Sequence, residues 1–429
     1  MESSVRVSAD GHLEGTVAVP PSKSYTHRAV VMASLAEGQS RIAGPLLSRD
    51  TRATIGACAA MGARILDEDS LLEITGTAPR SPKEVVDVEN SGSTLRFMTS
   101  VFSLAPEGSS TLTGDASIRT RPMQPLLDAL GELGVDARST RGNGCAPIVV
   151  RGGGMRGGRA NMRGDVSSQF VSSILISSPL ARSDTTIEVS NAVSKPYLEA
   201  TLRLSRLFGA SIDRDGYSRF AISGGQAYRP TDFRVPGDYS SASFIMAAVA
   251  IAGGRVVFTG LDDSLPQGDS AFAGILTSLG VRVARSNGSV TVEADGKAIA
   301  GGTFDLSNTP DLLPAVSVLA LRASSPIEVT GVAHARFKET DRIRVLSTEL
   351  RKSGVRVEER DDGVKIEPST SLNKCVLDAH DDHRMFMAFA LASLASGGRV
   401  AVLGEDSLDV SYPQFLNDME RIGAAVARE

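Results

Sequence analysis

A chain of 429 residues is too long for one compact core and implies two large domains or three ordinary ones. With 41% hydrophobic residues, 22% charged residues and a net charge of -5, it has the composition of a soluble globular protein and not of a general nucleic-acid or membrane-surface binder. Cys58, Cys145 and Cys375 are scattered without CxxC spacing and read as reduced thiols in a cytoplasmic protein; no signal peptide precedes the polar start, and the longest apolar stretch, FIMAAVAIAGG, is too short to span a bilayer.

The run VRVSADGHLEGTVAV alternates as a strand, and a proline-bearing break, VAVPPSKS, follows at 17–24. ACAAMGARIL then ends an amphipathic helix on Gly62 and passes into strand alternation. The same figure returns as LDALGELGVDA at Gly134, LRLSRLFGASI at Gly209, GILTSLGVRVA at Gly280, STELRKSGVRVE at Gly354 and DMERIGAAVA at Gly423, each about 70 residues from the next. It predicts a helix closed by a left-handed Gly cap and followed at once by a strand. IDRDGYSRFAIS and VEERDDGVKIEP continue as hairpins. A second proline-bearing stretch, YRPTDFRVPGDYS (228–240), leaves three pivots on each side. The expected architecture is therefore α/β, with two similar domains: 20–230, and 1–19 together with 231–429. The N-terminal strand crosses to the C-terminal half, and two crossovers with a hinge would let the pair close on a ligand.

Several helix starts are polar. PPSKSYTHRAVVMASLA (20–36) sets Lys23, Ser24 and Arg28 at the positive end of an apolar helix, either an ordinary Ser cap or an anion site. VENSGSTLRFMTSVFSLA (88–105) repeats this with Asn90, Gly92, Ser93, Thr94 and Arg96, and GDVSSQFVSSILISSPLA (164–181) with Ser167, Ser168 and Gln169. Three such starts, each small enough for a ligand to approach the backbone, point to a phosphate-rich site. GDASIRTRPM (114–123) adds Arg119 and Arg121. RGGGMRGGRANMRGD (151–165) reads as a flexible connector: no apolar helix follows its GxGxxG match, and no aromatics accompany its arginines. In SNTPDLLPAVSVLALRA (307–323), Asp311 is either a dipole partner or a general base. RFKETDRIRVL (336–346), seen alone, is a solvated face laced with ion pairs. AHDDHRMFMAFALA (379–392) places Arg384 before another apolar helix; His380 and His383 have a spacing that suits two ligands on one helix face, but no third cluster accompanies them, so no metal is expected. No nucleophile stands out: there is no GxSxG and no Cys in a basic polar loop.

PPSKSYTHRA, NSGSTLR, GDASIRTRPM, DVSSQF, SKPYLEAT, TPDLLP, RFKETDRI and DDHRM stand in the order in which they occur in the 5-enolpyruvylshikimate-3-phosphate (EPSP) synthases, and the chain resembles that family along essentially its full length. The resemblance implies a fold of two domains with three βαβαββ units each (an inverse α/β barrel-like arrangement with the active site in the interdomain cleft), no metal or organic cofactor, and a monomer. It implies transfer of the enolpyruvyl group of phosphoenolpyruvate to the 5-hydroxyl of shikimate 3-phosphate. Lys23, Ser24, Arg28, Ser167, Ser168, Gln169, Ser194, Tyr197, Asp311 and Lys338 would then hold shikimate 3-phosphate. Lys23, Asn90, Gly92, Arg121, Gln169, Arg342 and Arg384 would hold phosphoenolpyruvate, with open space left beside Gly92. Asp311 and Glu339 resemble the family's acid–base pair, with Lys23 beside them in catalysis, while Asp341 and Arg344 are expected to be structural ion-pair partners. Two positions depart from the family pattern: His334 stands for Asn and Val410 for Lys, which removes one expected phosphoenolpyruvate contact. The sister transferase acting on UDP-N-acetylglucosamine carries a Cys in the loop matching GDASIRTRPM and Lys-Asn at Lys23-Ser24, and neither is present. A non-catalytic or RNA-end-processing protein of similar repeats does not need the full set of Asp311, Glu339 and the basic residues.

Overall fold

The computed structural model describes residues 3–68, 70–369 and 371–429. The six pivot glycines all follow a helix with positive φ, from 81° at Gly134 to 116° at Gly62, and a strand follows each of them. Only glycine takes this conformation without strain, which is why the helix can stop and reverse so abruptly there.

The chain divides into two compact units: a split unit, Met1–Pro20 with Gly237–Glu429, and a continuous unit, Pro21–Pro236. Among the described residues each unit holds three four-stranded sheets, and all six share one pattern: a parallel pair followed by two antiparallel strands. In the continuous unit, for example, Gly158–Arg163 runs parallel to Thr185–Ser190, which pairs antiparallel with Arg219–Ile222 and then Asp213–Asp215.

Three expectations need adjusting. The N-terminal run is two strands, Val5–Ser8 and Leu13–Ala18, with the Asp10-Gly11 pair between them acting as a turn. Leu13–Ala18 runs parallel to Gly254–Thr259, whereas Val5–Ser8 pairs antiparallel with Ala425–Arg428, so one short segment completes two different sheets of the split unit. Asp232–Arg234 runs parallel to Gly38–Ala43, with Phe233 opposite Ile42. Residues 231–236 therefore belong to the continuous unit, and the division falls after Pro236 and not after 230. Finally, Gly158–Arg163 is an edge strand, so only 152–157 of the arginine–glycine stretch connects repeats.

Each unit is filled by three helices buried on nearly every face: Lys23–Leu35, Gly92–Phe102 and Ser168–Ser177 in the continuous unit, and Tyr239–Ala252, Leu313–Val318 and His383–Ala395 in the split unit. Past their polar first turns their sequences are mostly apolar or small, as a core helix requires. Two of the helices that precede the glycine pivots, Lys195–Leu207 and Arg342–Lys352, are amphipathic, with one face buried and the other exposed. Among the described residues no helix is long and apolar enough to cross a membrane.

Candidate active site

In the continuous unit the polar helix starts carry interlocked side chains. Lys23 opens its helix with Nζ 2.8 Å from Asp50 Oδ2, and Ser22 before it makes no side-chain cap bond. Ser91 and Ser167 do cap their helices, accepting from the N–H groups of Thr94 and Gln169. Burial works against the Asp50 charge, but Lys23 holds the carboxyl well below the usual carboxylate range. His27, 3.5 Å from the same oxygen, is pushed down by burial.

Arg28 is 2% exposed and ties its own helix to Lys195–Leu207. It donates to Thr201 Oγ1 at 2.8 Å, Ser24 O at 2.9 Å and Tyr197 O at 3.1 Å. Burial pushes its guanidinium down to about 10, still protonated at neutral pH. Ser194, buried with φ of 53°, precedes the helix that bears Tyr197, and Ser168 is likewise buried at its own helix start.

Gln169 accepts from Arg96 NH1 at 2.5 Å and donates to Ser93 Oγ at 2.9 Å. Arg121 donates to Asn90 Oδ1 at 2.9 Å, and Asn90 donates in turn to Asp115 Oδ2 at 2.7 Å. Gly92 lies under both arginines: a Cβ there would stand 2.7 Å from Arg121 NH1 and 2.9 Å from Arg96 NH1. The space beside Gly92 is thus filled by two guanidinium ends and is not open. Asp50 enters the cluster without having been singled out from the sequence; a lone Asp in the first turn of Arg49–Ala60 reads as a dipole partner until its contact with Lys23 is seen.

In the split unit one guanidinium organises the charges. Arg342 is 1% exposed and donates to Asp311 Oδ1 at 2.8 Å, Glu339 Oε2 at 2.6 Å and Asp382 Oδ2 at 2.8 Å. Burial opposes its charge, yet Asp382, Glu339 and Asp311 outweigh that and raise its pKa above the ordinary arginine value. Lys338 Nζ is 3.6 Å and Arg384 NH2 3.3 Å from the Asp311 carboxylate. The side chains of Asp311 and Glu339 are 12% exposed, whereas that of Asp382 is 0% exposed and also caps helix His383–Ala395. Two carboxylates that solvent can reach are therefore fixed on one buried cation, with two further cations beside one of them. Such an arrangement can take a proton at one oxygen, deliver one at another and hold an anion between.

The rest of the 336–346 stretch is structural. Asp341 caps helix Arg342–Lys352 through the N–H of Arg344 and pairs with Arg336 at 2.8 Å. The ion-pair partner of Asp341 is thus Arg336 and not Arg344. His380 and His383 do not share a helix face: His380, φ 51°, lies in the turn before the helix and contacts Glu349, while His383 is the first helical residue and fully buried. Among the described residues no group of three or more His, Cys, Asp or Glu is placed to hold a metal. His334 and Val410 are both buried, so no open cavity stands at the Val410 side chain.

Residues 7–419 match the family model described as EPSP synthase (3-phosphoshikimate 1-carboxyvinyltransferase). The chain is 45% identical over 415 residues to the 3-phosphoshikimate 1-carboxyvinyltransferase of Methanocella arvoryzae, covering 96% of this chain and 97% of the relative. It is 46% identical over 417 residues to the protein of the same name from Methanothrix thermoacetophila, with 96% and 97% covered. A solved structure of EPSP synthase from Acinetobacter baumannii superposes with a TM-score of 0.82 at 26% identity over 100% of both chains.

Proposed function

Because the chain belongs to the EPSP synthase (3-phosphoshikimate 1-carboxyvinyltransferase) family, we propose that it transfers the enolpyruvyl group of phosphoenolpyruvate to the 5-hydroxyl of shikimate 3-phosphate, as a monomeric cytoplasmic enzyme without a cofactor. The observation that carries the reading is the pair Asp311 and Glu339, both solvent-reachable and both bonded to buried Arg342. One carboxylate takes the proton of the attacking hydroxyl as the C–O bond to the central carbon of phosphoenolpyruvate forms. The other side chain, in its acid form, gives a proton to the methylene carbon, and a tetrahedral ketal results. Loss of that proton and departure of phosphate restore the enol ether. The addition needs no covalent nucleophile. Cys145, whose Sγ donates to Thr120 O in the 114–123 loop, has its thiol pushed up by burial and is unsuited to act as one.

Arg342 and Arg384 beside Asp311 supply positive charge for the phosphate and carboxylate of phosphoenolpyruvate, and Lys338, assigned to shikimate 3-phosphate, lies beside both substrates. In the continuous unit, Lys23, Asn90, Gly92, Arg121 and Gln169 are assigned to the same substrate. Ser24, Arg28, Ser167, Ser168, Ser194 and Tyr197 are assigned to shikimate 3-phosphate, Arg28 chiefly by holding Ser24 and Tyr197 in place.

A coupled phosphate-release assay tests it. Phosphate should appear with phosphoenolpyruvate and shikimate 3-phosphate, and not with UDP-N-acetylglucosamine as acceptor. Asp311→Asn and Glu339→Gln should each lower turnover by about a hundredfold or more, with a smaller effect on KM. Release with the sugar nucleotide alone would assign the chain to the sister reaction.

A further inference from the structure

Beyond the cluster that carries Asp311 and Glu339, the split unit buries another carboxylate among hydrogen-bond donors. Glu349, 2% exposed, lies on helix Arg342–Lys352. Its Oε2 accepts the backbone N–H of Asp378 at 2.9 Å and the Lys352 ammonium at 2.6 Å, and its Oε1 lies 3.2 Å from His380 Nε2. Glu349 stands seven residues after Arg342, close to two helical turns, so both side chains leave the same face of one helix. Arg342 grips Asp382 while Glu349 grips Asp378 and His380, so a single rigid element holds both ends of the 378–382 turn. That turn leads directly into Arg384. It is also a conformation that needs holding: His380 and Asp381 have φ of 51° and 59°, values that residues other than glycine rarely adopt in succession. A buried carboxylate is unfavourable unless its oxygens are satisfied, and apart from Lys352 the donors named here all come from this turn.

We propose that Glu349 is a positioning residue for phosphoenolpyruvate binding: it fixes the 378–382 turn and, through it, the placement of Asp382 and Arg384 beside Asp311. This rests on the reading that Arg384 meets phosphoenolpyruvate. A carboxylate that served stability alone would leave the two substrates equally affected.

Glu349→Gln keeps the side-chain volume and one carbonyl oxygen for the Asp378 N–H but loses the second acceptor. In the full chain, the KM for phosphoenolpyruvate should rise about fivefold or more, while that for shikimate 3-phosphate stays within about twofold. Amide hydrogen exchange over 378–384 should speed up by about tenfold or more in the ligand-free protein. His380→Asn tolerates the left-handed backbone and leaves Glu349 its bonds to Asp378 and Lys352; it should give the same pattern more weakly. Lys352→Gln removes only the half-exposed partner and should leave both KM values within about twofold. A parallel change in both KM values, or unchanged exchange, in a folded Gln variant overturns the proposal. If that variant does not fold, His380→Asn carries the test with the same readouts. Wild-type protein that releases no phosphate would instead refute the proposed reaction, and the exchange measurement would still decide the role of Glu349.

Discussion

Asp269 is 3% exposed in the turn Gly268–Ala271 and accepts a hydrogen bond from Ser240 Oγ. Burial pushes its carboxyl up to about 7, the charges of Asp311 and Asp238 add to the rise, and Arg384 with the Ser240 bond offsets only part of it. A folded-state value above the ordinary 3.8 means the native protein holds this proton more tightly than the unfolded chain. The stability the group contributes is therefore complete below about pH 4 and is lost as pH rises through about 7. Asp269→Asn keeps an acceptor for Ser240 and abolishes the titration. The Tm of the variant minus that of the wild type should climb between about pH 4 and pH 7 and level off above. A difference that stays flat across that window would show Asp269 ionised throughout. Asp269 illustrates why some of the charge cluster was not legible in the sequence. Asp311 sits between two prolines at a helix start and Glu339 among alternating charges, so local pattern drew attention to both. Asp269 and Asp50 stand in unremarkable surroundings, and only tertiary contact brings them to Asp311 and Lys23.

At the level of elements, the glycine pivots were the legible part because a helix that reverses into a strand needs one residue with positive φ, and side chains other than Gly resist it. Gly280 and Gly274 make a direct test of that reason. Both belong to the split unit and a Cβ at either would meet nothing within 4 Å, but Gly280 has φ of +91° whereas Gly274 lies inside helix Phe272–Ser278. With space removed as a variable, only backbone conformation is left. Gly280→Ala should destabilise by about 1–2 kcal/mol, and Gly274→Ala should stabilise by about 0.5–1 kcal/mol. Opposite shifts in the urea midpoint are expected; shifts of the same sign would mean that the cap conformation is not what Gly280 provides. The N-terminal run was harder to read. Val5–Ser8 and Leu13–Ala18 both alternate, and alternation alone cannot say that the chain changes sheets between them, because pairing partners hundreds of residues away decide it.

The whole molecule follows from where its sheets find their last strands. Among the described residues all twelve strands of the continuous unit lie between Pro21 and Pro236, the last being Asp232–Arg234 beside Gly38–Ala43. In the split unit two of the three sheets are incomplete without residues 5–18: Leu13–Ala18 fills an edge, and Val5–Ser8 lies between Val400–Leu403 and Ala425–Arg428. Val5, Val7, Leu13 and Val17 also contribute to its core. A fragment of residues 21–236 should therefore fold alone and unfold cooperatively in urea. A fragment of residues 237–429 should lack a central strand of one sheet and an edge of another, and remain poorly ordered until a peptide of residues 1–20 is added. Circular dichroism and amide exchange follow both outcomes, and the gain on adding peptide should saturate at one equivalent. The exact end of the continuous fragment is informative too. Proline spacing suggested 230, but stopping there removes Asp232–Arg234 and the burial of Phe233, which is 8% exposed and stacks on Tyr25 with ring centroids 6.1 Å apart. A fragment of 21–230 should thus unfold at lower urea than 21–236, by about 1–3 kcal/mol for the lost aromatic burial and ladder bonds. Equal midpoints for the two fragments would place the true division at 230, and a well-folded 237–429 fragment without peptide would show that the N-terminal strands only decorate the split unit.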